Sequence, residues 1–157
     1  MLKINGKDVN DFLQRISTND FSSFPENEIR PTLLLTEKGR VIDLIYVLRQ
    51  DENVLVLTSG GAEEKVKQWL KRFIVMDDVG VDHVVFPPEI FLAFADEIAV
   101  NNIPQHRVSA FGLSFSVFAV YSNADKFISE MELHHAVMVS NHAWETFRIM
   151  NGIPEFG

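Results

Sequence analysis

The chain contains no cysteine. Disulfides, thiol nucleophiles and iron–sulfur clusters held by its own thiolates are therefore excluded. It also has no run near the roughly 18 apolar residues that a membrane span requires. The opening Met1-Leu2-Lys3-Ile4-Asn5-Gly6 has no hydrophobic signal core. These absences lead us to expect a soluble, cytoplasmic protein with no membrane partner. Positive charge is scarce: 14 lysines and arginines stand against 22 acidic residues, giving a net charge of -8. Such a chain repels phosphate backbones, so nucleic acid is not an expected partner. The basic cluster Lys65, Lys67, Lys71 and Arg72 falls in the middle and last turns of a predicted helix, where cations complement the helix dipole. No phosphate loop, dinucleotide fingerprint or Ser/His/Asp order is present.

What is present is the composition of a globular domain, 46% apolar and 23% charged over 157 residues. A chain of this size buries roughly 70% of its unfolded surface. A strand at Leu2 to Ile4 precedes Val9, Phe12, Leu13 and Ile16, which recur at helical spacing. Thr18-Asn19-Asp20 ends that helix, and Pro25 and Pro31 mark a loop before a strand from Thr32 to Thr36. Glu37-Lys38-Gly39-Arg40 reads as a hairpin turn into a second strand, and Val54 to Thr58 as a third. Ala62, Val66, Trp69, Leu70 and Phe73 then mark a helix face. The rest of the chain echoes this order weakly. Strands are expected near Val79 to Val85, Ile90 to Ala95, Arg107 to Phe111 and Ser114 to Tyr121, then helices from Asn123 and from about Asn141 to Asn151. Ser140 is placed to cap the last helix, and Gly152 and Pro154 to stop it. The expectation is an α+β fold of two similar β-α-β(3)-α-type halves, residues 1–78 and 79–157.

Asp43 is the one charged residue between Val41 and Leu48, in a run that reads as a strand buried on both faces. Burying a carboxylate unpaired costs several kcal/mol, so Asp43 must face a pocket, reach an exposed edge or find a partner such as Arg40. His134-His135 suggests metal, but adjacent strand residues diverge and no further ligand stands at metal-site spacing, so no metal is expected. Asp77, Asp78 and Asp82 lack the glycine and glutamate of a calcium loop and read as surface charge.

Thr18-Asn19-Asp20-Phe21-Ser22-Ser23-Phe24-Pro25, followed at fixed spacing by Gly39-Arg40-Val41-Ile42-Asp43-Leu44, resembles the folate-binding superfamily of the glycine-cleavage T-protein and YgfZ. The tail from Ala143-Trp144-Glu145 through Arg148-Ile149 to Gly152-Ile153-Pro154 is similar to the YgfZ branch. The resemblance covers residues 1 to 75 and 140 to 157 and implies a folate pocket between two halves, usually followed by a C-terminal barrel that is not expected here. The YgfZ signature Lys-Gly-Cys-Tyr-x-Gly-Gln-Glu is absent. Of the Asp-Asp pair on the T-protein strand, the first falls on Asp43 and the second, associated with folate chemistry, on Leu44. Successive strand residues point to opposite faces, so Asp43 is expected to project away from the ligand face unless a bulge intervenes. Pro31 stands where T-proteins present a tyrosine, and Gly112-Leu113-Ser114-Phe115-Ser116-Val117 lacks the glutamate that would grip a pterin.

By that resemblance the candidate folate-binding residues are Tyr46 as a stacking surface, Arg148 near the anionic tail, and Asp43 as an outside candidate for the pterin. Their simple readings are a core aromatic, an arginine capping carbonyls and a paired strand aspartate. The implied protein is a YgfZ-like tetrahydrofolate-binding accessory factor for maintenance of iron–sulfur proteins, without catalytic residues of its own. One alternative is an aminomethyltransferase of one-carbon metabolism, served by a lipoyl-carrying partner. Another is a ligand-free interaction domain of a split protein, whose missing C-terminal region comes from a partner chain or self-association.

Overall fold

Seven elements make up the first of two compact units, Met1–Val85. In chain order they are β1 (Leu2–Asn5), α1 (Val9–Ile16), β2 (Ile29–Leu35), β3 (Val41–Gln50), β4 (Asn53–Leu57), α2 (Glu63–Lys71) and β5 (Gly80–His83). The computed structural model describes residues 1–50, 52–94, 103, 105–110 and 112–153. The five strands form one antiparallel sheet in the order β2-β3-β4-β1-β5. Val9, Phe12 and Leu13 of α1 and Val66, Trp69 and Leu70 of α2 face the sheet, where they meet Leu2, Ile4, Ile45, Val47, Val54 and Val56. Each such side chain, fully buried, stabilises the fold by about 2 kcal/mol.

Two local features depart from the sequence pattern. Pro31 lies inside β2, which begins at Ile29, not in the loop expected before Thr32. The strand tolerates it because β2 is the sheet's edge, where a missing backbone N–H costs no ladder bond. A bulge also shifts the β2–β3 register, so that Leu34 faces Asp43 but Leu35 faces Val41. The extra residue, Ile42, joins the core, and regular alternation resumes from Asp43 onward.

The acidic residues after α2 are tied into the fold. Asp77 accepts two bonds from Arg15, at 2.9 and 3.0 Å, and that guanidinium holds its carboxyl below the usual carboxylate range. Asp78 donates its backbone N–H to Asp8 Oδ2 at 2.8 Å. This closure brings the Asp78 carbonyl against Gly6, whose φ of +120° is open only to glycine at low cost.

The second unit, Phe86–Pro154, holds β6 (Glu89–Ala93), β7 (Gln105–Ala110), β8 (Leu113–Val120), α3 (Ala124–Leu133) and α4 (Asn141–Met150). Its antiparallel sheet has the order β6-β8-β7. Phe118, Val120, Phe127 and Met131 form one buried cluster in it. Asn123, in the left-handed region, caps α3 by accepting from Lys126 N, and Ser140 caps α4 by accepting from Ala143 N, as the sequence indicates. His134-His135 ends α3; it is not on a strand, and no metal-binding cluster occurs among the described residues. The expected strand ends Ala95 and Phe111, the turn residue Asp51 and the stop residue Pro154 lie outside the described residues. No described helix is long and apolar enough to cross a membrane. The architecture is thus α+β, with two antiparallel sheets and four helices among the described residues.

A Cβ placed on Gly6 would lie 1.9 Å from the Asp78 carbonyl oxygen, whereas one on Gly39, also at positive φ, would meet nothing within 4 Å. We therefore expect Gly6→Ala to cost about 3 kcal/mol or more and Gly39→Ala about 1 kcal/mol, measured by urea denaturation. Equal losses would contradict the close approach.

Candidate functional site

Strand β3 has two faces with different chemistry. Asp43 shares one with Ile45 and Val47 and is fully buried at 0% exposure. Its partner is not Arg40. Oδ1 accepts from the Ser59 hydroxyl at 2.6 Å and Oδ2 from the Ser59 backbone N–H at 3.1 Å. Ser59 opens the Ser-Gly-Gly turn between β4 and α2, so the carboxylate fixes where that turn leaves the sheet. Both oxygens are used by one residue, which meets the condition for keeping a carboxylate away from water. Lys65 of α2 reaches the next carbonyl, Ile42 O, at 3.2 Å.

Leu44, Tyr46 and Leu48 form the opposite face. Tyr46 is flanked across the ladders by Pro31 on β2 and Leu57 on β4, and Leu44 faces Leu33. Leu48 is flanked by Ile29 and Leu55. The centre of this face is apolar apart from one phenol, with Gln50 at the end of β3 and Lys3 of β1 beyond Leu55 on the same side. Tyr46 is half-buried, and burial pushes its hydroxyl pKa up. A planar ring laid there would meet proline, leucine and an aromatic side chain, with no carboxylate from β3.

The Thr18-Asn19-Asp20 motif holds the segment after α1 against β2. Thr32 Oγ1 accepts from the backbone N–H of both Thr18 and Asn19 at 3.1 Å. Leu33 N donates back to Thr18 Oγ1 at 3.1 Å, and Asn19 Nδ2 donates to Pro31 O at 2.8 Å. Asp20 Oδ1 accepts from Ser22 Oγ at 2.6 Å and Ser22 N at 2.9 Å, and these bonds hold its carboxyl below the usual range. The three residues act as the turn formers their types suggest. Thr32, buried at the centre of this network, had no local signal, because a threonine in a strand is ordinary until a loop packs on it.

Arg148 belongs to the second unit. Its Nη2 and Nε donate to Glu145 at 2.6 and 3.3 Å, and Nη1 donates to Ile153 O at 3.0 Å. The guanidinium lowers the Glu145 pKa and closes the end of α4, where Gly152 adopts a φ of +65°. Asp43 and Tyr46 thus share a strand on opposite faces, while Arg148 binds within its own helix end. Segment 112–117 supplies a turn glycine and most of β8. Its Ser114 and Ser116 bond to Ser109 and Gln105.

Residues 1–86 match the model of the GCVT N-terminal domain. The chain belongs to the GCVT N-terminal domain family. The match ends within a residue of the boundary of the first unit. Within the family, the chain is 36% identical over 69 residues to an aminomethyltransferase of Clostridium botulinum, covering 43% of this chain and 18% of the relative. It is 33% identical over 85 residues to an aminomethyltransferase of Alkaliphilus metalliredigens, covering 53% and 23%. The chain spans about a fifth of the length of these curated relatives. Its fold is similar to the glycine cleavage system aminomethyltransferase T of Bartonella henselae, with a TM-score of 0.57 at 14% identity over 82% of this chain and 42% of that one.

Asp43→Ala should cost about 2–3 kcal/mol, because it empties a fully buried site and takes the acceptor from both half-buried Ser59 donors. The double-mutant cycle with Ser59→Ala should show a coupling of about 1–2 kcal/mol by chemical denaturation. Additive losses would mean that the two side chains do not depend on each other.

Proposed function

We propose that this GCVT-family domain binds a reduced folate, tetrahydrofolate or its 5-formyl form, on the Tyr46 face of the first sheet, and acts as an accessory protein without turnover. The observation that carries the reading is the division of β3: its one carboxylate is bonded to Ser59 in the interior, and its other face presents Tyr46 among apolar neighbours. A pterin is a flat aromatic ring, and stacking on a tyrosine suits it. Its ring N–H and amino donors are best met by a bidentate carboxylate, which neither β3 on this face nor segment 112–117 supplies. Proton transfer to the folate nitrogen therefore has no acid on this strand. Arg148 would serve an anionic folate tail only by exchanging Glu145 for the tail's carboxylate. The net charge of -8 opposes such a tail, so local cations would have to offset it. The role implied by the YgfZ resemblance is support of iron–sulfur enzymes through bound folate.

The second reading is aminomethyl transfer to tetrahydrofolate, favoured by the names of the relatives that match at 36% and 33% identity. It needs a carboxylate turned to the ligand and a lipoyl-carrying partner.

Calorimetric titration with tetrahydrofolate and 5-formyltetrahydrofolate tests both. Binding should be detected with the unaltered chain and weakened at least tenfold by Tyr46→Ala, with the fold intact by circular dichroism. No heat at millimolar ligand would overturn the folate reading. Carbon transfer from an aminomethyl-lipoyl carrier would replace the accessory role with the enzymatic one.

A further inference from the structure

The second unit carries an open groove of about 510 Å³, walled by residues 91–94 on one side and 134–139 on the other, with Phe127 and Met131 at its base. Its origin is topological. Phe118 of β8 contacts Phe127 of α3, whereas Phe115, three residues away and so on the other face, contacts Phe94, which in turn meets Trp144 and Phe147 of α4. The connector between the helices therefore passes around the β6 side of the sheet.

Two backbones line this groove, and among the described residues neither is paired along it. β6 bonds only to β8, so among the described residues its outer edge has no ladder partner. After Ala136, which donates to Met131 O, residues 137–139 make no backbone hydrogen bond among the described residues. Their side chains are exposed although apolar: Val137, Met138 and Val139, facing Leu92 and Phe94. An apolar small molecule would cover the side chains but leave both rows of N–H and C=O groups open. A strand satisfies both.

We propose that this groove is a docking site for an extended, apolar segment of another protein, added as a strand beside β6 and covered by the 134–139 connector. The wall formed by Phe91, Leu92 and Ala93 of β6 with the following Phe94 spans about 13 Å, room for roughly four residues of an extended chain. Apolar residues at alternate positions would fill the space over Phe127 and Met131. Glu132 at the rim and the net charge of -8 favour basic residues flanking that core. The site lies wholly in the second unit and does not depend on folate binding.

The test uses the full chain and a blocked peptide, Lys-Val-Thr-Val-Thr-Val-Lys, followed by amide NMR and hydrogen exchange. Saturable binding should slow exchange in β6 and shift the amides of residues 137–139. A version N-methylated at alternate residues, which keeps the side chains but loses one row of donors, should bind at least tenfold more weakly. Met138→Lys, an exposed change that spares the core, should also weaken binding tenfold. Equal binding of the N-methylated peptide, or no binding at millimolar concentration, would overturn the proposal. Concentration-dependent dimerisation through β6 without peptide would also overturn it, assigning the edge to a second copy.

Discussion

A carboxylate with no exposed surface persists in a protein interior only when its oxygens are bonded, and among the described residues Asp43 meets that condition through Ser59. Much of the first unit is organised around that contact. It fixes the turn from β4 into α2, and α2 supplies Val66, Trp69 and Leu70 to the core. Because strand residues alternate, anchoring Asp43 inward commits Leu44, Tyr46 and Leu48 to the other face. The same contact that stabilises the fold thereby removes the strand's acid from the face proposed to meet a ligand.

Periodicity carried most of the fold. The faces of α1 and α2 and the long apolar run of β3 are written in residue spacing, and Ser140 and Asn123 mark helix starts through side chains that cap their own backbone. What was hidden depended on neighbours distant in sequence. Pro31 looked like a loop residue because its tolerance comes from lying on an edge strand, which is a property of the sheet. Asp77 looked like surface charge because Arg15, its partner, is some sixty residues away, whereas Asp78 keeps an exposed carboxylate and is tied in by its backbone N–H.

The candidate site was legible to the same extent. Register alone placed Asp43 and Tyr46 on opposite faces, and the bulge at Ile42 leaves that relation intact because it precedes Asp43. The identity of Asp43's partner was not legible, since a serine in a Ser-Gly-Gly turn carries no mark of the carboxylate it will meet. Arg148 bonds to Ile153 O and Glu145 in the geometry of a helix-end clamp, which its arginine side chain and place near the end of α4 allow.

The central claim is that β3 separates a structural acid bonded to Ser59 from the opposite, Tyr46 face proposed to meet a ligand. The most direct measurement is ¹³C NMR of the chain labelled at aspartate carboxyls and tyrosine rings, titrated with 5-formyltetrahydrofolate. The account predicts that the Tyr46 ring resonances move with ligand while the Asp43 carboxyl resonance stays fixed. A shift of the Asp43 carboxyl, with Tyr46 unmoved, would contradict it.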